Sequence, residues 1–164
     1  RHDRATFGCG VESLDRFLKE RVADWEGRRL TRIHVLVEAS APSRVLGFTA
    51  LSMTAIDAAE LPSTIARRMP RAAEIGAVLL GQLAVAERYQ GRGLGRDLLF
   101  DALDRALAVS EQIAAYAVIV DALDEDAAAF YAYHGFQPFP ATSLRLFLPL
   151  ATYSKYVAAQ AQTR

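Results

Sequence analysis

Apolar positions recur along this chain with two different periods, and each change of period marks off an element. In VESLDRFLKERVADW, Leu14, Phe17, Leu18 and Val22 share one face at helical spacing, which predicts a first helix with Ser13 as its N-cap. IHVLVEA and RVLGFTALSMTAI are β-branched and apolar, and the turn-like SAPS between them predicts an antiparallel hairpin. LPSTIARRMP reads as a short helix bounded by prolines. AVLLGQLAVAE is apolar almost throughout, as expected of a central strand covered on both faces. Next, Leu94, Leu98, Leu99, Ala102, Leu103, Ala106 and Leu107 form an apolar stripe, with Arg96, Asp97, Asp101, Asp104 and Arg105 opposite, so a long amphipathic helix is predicted. YAVIVDA then predicts a buried strand, DEDAAAFYAYHGF a short helix closed by Gly135, and SLRLFLPL a last strand. The alternation, without repeat or linker, is that of a mixed α/β (α+β) chain forming a single domain over residues 1–164.

The junction between the central strand and the long helix carries the chemistry. QGRGLG places Gly91, Gly93 and Gly95 where a helix begins, although glycine costs conformational entropy wherever it is fixed. A strand, a glycine turn and a helix N-terminus together offer unpaired N–H groups and the positive end of the helix dipole, which suits a phosphate. Arg92 and Arg96 stand ready to meet its charge. Neither G-x-x-x-x-G-K-[ST] nor G-x-G-x-x-G is present; the spacing is Gln90-x-x-Gly93-x-Gly95. A flexible helix entry with no ligand is the plain alternative.

Composition narrows the choice of partners. With 19 basic and 19 acidic residues the formal charge is zero, so nucleic acid must be met by a local patch. No apolar run approaches the roughly 20 residues of a membrane helix, and RHDRATF lacks an apolar signal core, so no membrane association is expected. The lone Cys9 has no partner for an internal disulfide, which makes the cytoplasm the expected compartment.

With these residues in place, a resemblance can be stated. QLAVAERYQGRGLGRDLLFDAL resembles the acetyl-CoA signature of the GNAT superfamily of N-acetyltransferases, whose Q/R-x-x-G-x-G/A loop grips the coenzyme's pyrophosphate. The resemblance implies a GNAT-like fold with a mixed, mostly antiparallel central sheet flanked by helices. It implies acetyl-CoA as co-substrate and no metal. Gln90, Gly91, Arg92, Gly93, Leu94, Gly95 and Arg96 would then bind the coenzyme, together with Leu83, Ala84 and Val85, where backbone groups of a splayed strand hold the pantetheine arm. DAAAFYAYHGF is similar to the family's A-x-x-F/L-Y-x-x-x-G-F helix, whose tyrosine protonates the departing thiolate; that position is Tyr131. FGCGVESLDRFLKERV, LPSTIARRMPR and RLFLPLAT extend the likeness along the chain to the acetyltransferase toxins of type II toxin–antitoxin modules. This implies acetylation of the α-amine of an aminoacyl-tRNA, arrest of translation, a ribbon-helix-helix antitoxin as partner, and a homodimer.

The residues themselves bear on that reading. Transfer from a thioester to an amine needs a neutral amine and an acid for the sulfur, and a tyrosine with a pKa near 10 remains protonated at neutral pH. Tyr133 is the neighbour to exclude, and His134 reads as a capping or surface group. Glu74 and Glu87 flank the central strand but read as solvated end residues, and an α-amine with a pKa near 8 can react without a base. For tRNA phosphates the candidate cations are Arg28 and Arg29, with Arg32 beside them, and Arg67, Arg68 and Arg71 around Pro70. Acidic Glu20, Asp24 and Glu26 dilute the first group. Trp25 and Phe48 are candidates for stacking on a base or for the core. A small amine or protein N-terminus as acceptor, and a coenzyme-binding module without transfer, remain alternatives.

Overall fold

The computed structural model describes residues 2–71 and 74–163. Its helices are α1 (Glu12–Arg16), α2 (Val22–Gly27), α3 (Ser63–Ala66), α4 (Leu94–Ser110), α5 (Glu125–Tyr133) and α6 (Leu150–Gln162). Its strands are β1 (Arg32–Glu38), β2 (Ala41–Asp57), β3 (Glu74–Val85), β4 (Ala117–Asp121), β5 (Gln137–Phe139) and β6 (Thr142–Pro149). They form one mixed sheet in the order β1-β2-β3-β4-β6-β5. The chain divides into two compact units, residues 1–52 with 80–102 and residues 53–79 with 103–164.

In the first unit, α1 and α2 are joined by a π-helical turn, Phe17–Arg21, so the predicted first helix is present but locally wider than an α-helix. Ser13 does not cap it. Val11 occupies the N-cap position without a side-chain bond, and Asp15 instead reaches back to accept the Cys9 N–H at 2.9 Å. β1 and β2 pair antiparallel, with Arg32 opposite Leu51 and Val35 opposite Phe48. The turn lies at Ala39 and Ser40, earlier than the SAPS prediction. The reason is a tertiary contact: Asp3 bridges Arg44, its N–H donating to Ser43 O at 2.7 Å, and this recruits residues 42–44 into β2. Phe48 is fully buried, with Phe7 edge-on at 5.5 Å and Phe17 stacked at 6.3 Å.

In the second unit, β4 and β6 pair antiparallel from Ala117–Pro149 to Asp121–Arg145, and Ile119 lies opposite Phe147 in the core. β5 and α6 were not expected. β5 is three residues long and contains Pro138, which can give no ladder N–H and is tolerated because the strand is an edge. α6 begins immediately after β6, burying Leu150 and Tyr153, and the Tyr153 hydroxyl donates to Asp104 Oδ1 of α4 at 2.6 Å. The apolar stripe of α4 is borne out, since Leu98, Leu99, Ala102, Leu103 and Ala106 are all buried. β3 is less enclosed than its composition suggested, with Gly81 exposed and Gln82 and Leu83 half-buried.

Candidate functional site

The segment joining β3 to α4 is shaped residue by residue. β3 ends at Val85, a single 3-10 turn spans Glu87–Tyr89, and Gln90 is extended at φ −66° and ψ 158°. Gly91 and Gly93 follow with φ of +74° and +82°. These left-handed torsions, and not crowding, are what call for glycine. A Cβ on Gly91 would meet nothing within 4 Å, and one on Gly93 only Arg96 Nη2 at 3.8 Å. The helical ladder starts where Asp97 N–H donates to Gly93 O at 3.2 Å. Leu94, Gly95 and Arg96 thus lie in the first turn, whose N–H groups an α-helix leaves without partners of its own. An exposed, side-chain-poor stretch of N–H groups at the positive end of a 17-residue helix is a place for an anion.

The flanking side chains are not equivalent. Arg96 is paired with Asp97 at 3.1 Å, whereas the Arg92 guanidinium lies over the Tyr89 ring at 5.3 Å and has no carboxylate partner among the described residues. Gln90 is exposed but held to the backbone, its Nε2 donating to Cys9 O and Val85 O, each at 2.9 Å. Ala84 is buried, and Leu83 and Val85 are half-buried. Against Ala84 and Val85 packs Gly47 of β2, where a Cβ would stand 2.8 Å from Ala84 O and 2.7 Å from Leu98 Cδ1. This close approach was missed in the sequence; a glycine inside the strand pattern RVLGFTA was the available signal.

In the second unit, Tyr131 stands on α5, a helix capped by Asp124, whose side chain accepts the Ala127 N–H at 2.8 Å. Gly135, at φ +94°, turns the chain so that Phe136 N–H returns to Tyr131 O at 3.2 Å. The Tyr131 ring has Phe130 and Phe136 edge-on at 5.2 and 5.5 Å. It is 8% exposed, while Tyr133 is 86% exposed. Burial alone pushes the Tyr131 phenol up to about 12, because the anion would lose its water without gaining a partner. His134 caps α5, as expected, with its ring against Phe130 and Tyr133.

Among the arginines, Arg28 is tied to Asp24 at 2.8 Å and Arg32 lies 3.9 Å from Glu26, so acids do dilute the first group. Arg29 is exposed and held at φ +59°. Arg67, Arg68 and Arg71 are all exposed, and Arg67 and Arg71 line a cavity of about 570 Å³ with Asp57, Ser63, Met69 and Pro70. Trp25 packs edge-on against Phe17 at 5.4 Å and Phe48 is enclosed, so both serve the core. Glu74 and Glu87 are exposed. Cys9 is a buried free thiol, pushed up to about 11 by burial and by its hydrogen bond with Asp15. Among the described residues no His, Cys, Asp and Glu side chains cluster as a metal site, and no helix is long and apolar enough to cross a membrane.

A family model described as an acetyltransferase (GNAT) domain matches residues 31–138. The chain is 36% identical over 159 residues to a probable toxin TacT of Sinorhizobium fredii (strain NBRC 101917 / NGR234), spanning 93% of this chain and 87% of that protein. It is 35% identical over 146 residues to a tRNA-acetylating toxin of Mycobacterium tuberculosis (strain ATCC 25618 / H37Rv), spanning 89% and 85%. A tyrosine-to-phenylalanine mutant of KacT superposes with a TM-score of 0.89 at 30% identity, covering 94% of this chain and 92% of that one. AtaT complexed with acetyl-methionyl-tRNAfMet gives 0.87 at 28%, covering 95% and 92%. A tyrosine-to-phenylalanine mutant of AtaT bound to the C-terminus of the antitoxin AtaR and acetyl-CoA gives 0.79 at 26%, covering 93% and 88%.

Proposed function

We propose, from the premise that this chain belongs to the GNAT acetyltransferase family, that it is the toxin of a toxin–antitoxin pair and acetylates the α-amine of aminoacyl-tRNA. The observation that carries the reading is its 35% identity, across 89% of its length, to a tRNA-acetylating toxin. Translation stops when the amine that must form the next peptide bond is blocked.

The residues fit acetyl-CoA. Gly91 and Gly93 adopt torsions that present bare backbone at the N-terminus of α4, which matches an acceptor-only pyrophosphate. In this reading Gly91–Arg96 hold the pyrophosphate, with Arg92 supplying charge, and Leu83, Ala84 and Val85 align the pantetheine through backbone groups. When bound, acetyl-CoA supplies the acetyl group already activated as a thioester. Tyr131 Oη, with its pKa raised to about 12, keeps its proton throughout the neutral range and holds it for the leaving sulfur. No side chain is assigned as base. An α-amine with a pKa near 8 is partly neutral at cellular pH, so the chain need only orient it.

Arg67, Arg68 and Arg71 are the cations we assign to tRNA, since all are exposed and two line one cavity. Arg28 and Arg29 are secondary candidates. The same reading takes residues 1–164 as one acetyltransferase domain working as a cytoplasmic homodimer, with a ribbon-helix-helix antitoxin as its inhibitor. The test is acetyl transfer from acetyl-CoA to charged tRNA by the purified chain, beside free amino acids and peptide N-termini. Acetylation of charged tRNA far above the other acceptors is expected. Equal turnover of free amino acids, or transfer to peptides alone, would overturn the assignment.

A further inference from the structure

Gln90 occupies the first position of the glycine motif and is exposed, yet its side-chain amide is engaged by the protein's own backbone. Its Nε2 carries two hydrogens, and two backbone carbonyls receive them, Cys9 O and Val85 O, each at 2.9 Å. Val85 is the last residue of β3, whereas Cys9 lies 81 residues away from Gln90 in the segment before α1. That segment grips the loop a second time, because Glu87 N–H donates to Gly8 O at 2.9 Å. It also passes close by: Gly10, at φ +85°, would bring a Cβ within 3.3 Å of Glu87 Oε1. Asp15 fixes this strap from α1 by accepting the Cys9 N–H at 2.9 Å.

A phosphate can only accept hydrogen bonds. A residue that binds it must have a hydrogen to give, and the Gln90 amide has given both of its own. Beyond Gln90 the chain depends on Gly91 and Gly93, one of which has no atom within 4 Å of its Cβ position and the other a single arginine tip. Such a stretch pays a large ordering cost when it closes on a ligand, and anchoring its first residue lowers that cost.

We infer that Gln90 is a positioning residue, acting on the coenzyme through the loop it anchors, and that residues 8–10 belong to the coenzyme site by the same means. The inference rests on the reading above that Gly91–Arg96 hold the pyrophosphate.

Gln90→Met keeps the length of the side chain and removes both donors. In the protein without coenzyme, amide hydrogen exchange over residues 86–97 should accelerate about tenfold, as two hydrogen bonds are lost. The KM for acetyl-CoA should rise by about the same factor while kcat stays within about twofold. Unchanged exchange overturns the inference: with weakened coenzyme binding it makes Gln90 a direct ligand, and with intact binding it leaves Gln90 without a role. If Gln90→Met does not fold, Gly10→Ala disturbs the strap from the other side and is read by the same exchange, with no acceleration counting against the idea. Calorimetry of acetyl-CoA on the wild-type chain runs alongside; absence of binding there removes the proposed function, while the exchange comparison still decides whether Gln90 orders the loop.

Discussion

Replacing Tyr131 by phenylalanine removes one oxygen and leaves the ring in its contacts with Phe130 and Phe136. Burial raises its pKa from the ordinary 10 to about 12, and because the ring contacts are kept the fold should persist. A thiol titrates near 8.5, so a full proton transfer from this phenol would be uphill by about 3.5 units, roughly 5 kcal/mol. The phenol therefore acts late, as negative charge collects on the sulfur. General acids of this kind are worth about 10²- to 10⁴-fold, or about 3 to 5 kcal/mol of barrier. Single-turnover acetylation of charged tRNA should slow by that factor, with acetyl-CoA affinity by calorimetry unchanged. A second readout comes from linkage. The folded pKa lies above the unfolded one, so this contribution to stability is present below pH 10 and lost as pH rises through about 12. By pH 11 the loss from this group is on the order of 1 kcal/mol, and urea unfolding should show the wild type losing that much more than Tyr131→Phe, since the raised Cys9 thiol and the other raised phenols contribute to both. Full turnover by Tyr131→Phe with coenzyme bound normally would place the acid elsewhere.

Gly93→Glu puts a side chain at φ +82° and an anion at the head of α4, so acetyl-CoA binding should vanish in a folded protein; retained affinity by calorimetry would refute the loop assignment. Gly47→Ala drives a Cβ to within 2.8 Å of Ala84 O, and a loss of about 1–3 kcal/mol in urea unfolding is expected. Arg67→Glu with Arg68→Glu should weaken acetylation of charged tRNA and flatten its salt dependence, while acetyl-CoA affinity holds. Identical salt slopes would clear these arginines of a tRNA role.

Regularities of short range were legible in the sequence. The 3.6-residue stripe from Leu94 to Leu107, the β-branched runs of β1 and β4, the Leu- and Phe-rich run of β6, and the glycines of the β3–α4 loop all depend on neighbours a few positions apart. The strand–loop–helix at residues 83–96 and the α5 tyrosine could be located for the same reason. Misreadings fell where a distant segment decided the outcome. SAPS is a good turn in isolation, but Asp3 pairs with Arg44 and draws it into β2. QPF gives no strand signal, and β6 makes it one by offering an edge to pair with. LATYSKYVAAQAQ had the composition of a helix, yet its start was masked by the apolar run of β6, and its anchoring waits on the bond from Tyr153 to Asp104, 49 residues apart.

Among the candidate groups the division is the same. Residue types and their spacing determined which groups are available: N–H groups at a helix head, a tyrosine two residues from its decoy, arginines around Pro70. Which group is buried or already engaged was decided only by tertiary packing. Tyr131 and Tyr133 are both tyrosines on α5, and burial raises the pKa of Tyr131 while Tyr133 lies open to water. Gln90 matches a coenzyme motif letter for letter, but Cys9 and Val85 take its hydrogens, because a carbonyl brought to 2.9 Å by the fold is a partner that spacing along the chain cannot announce.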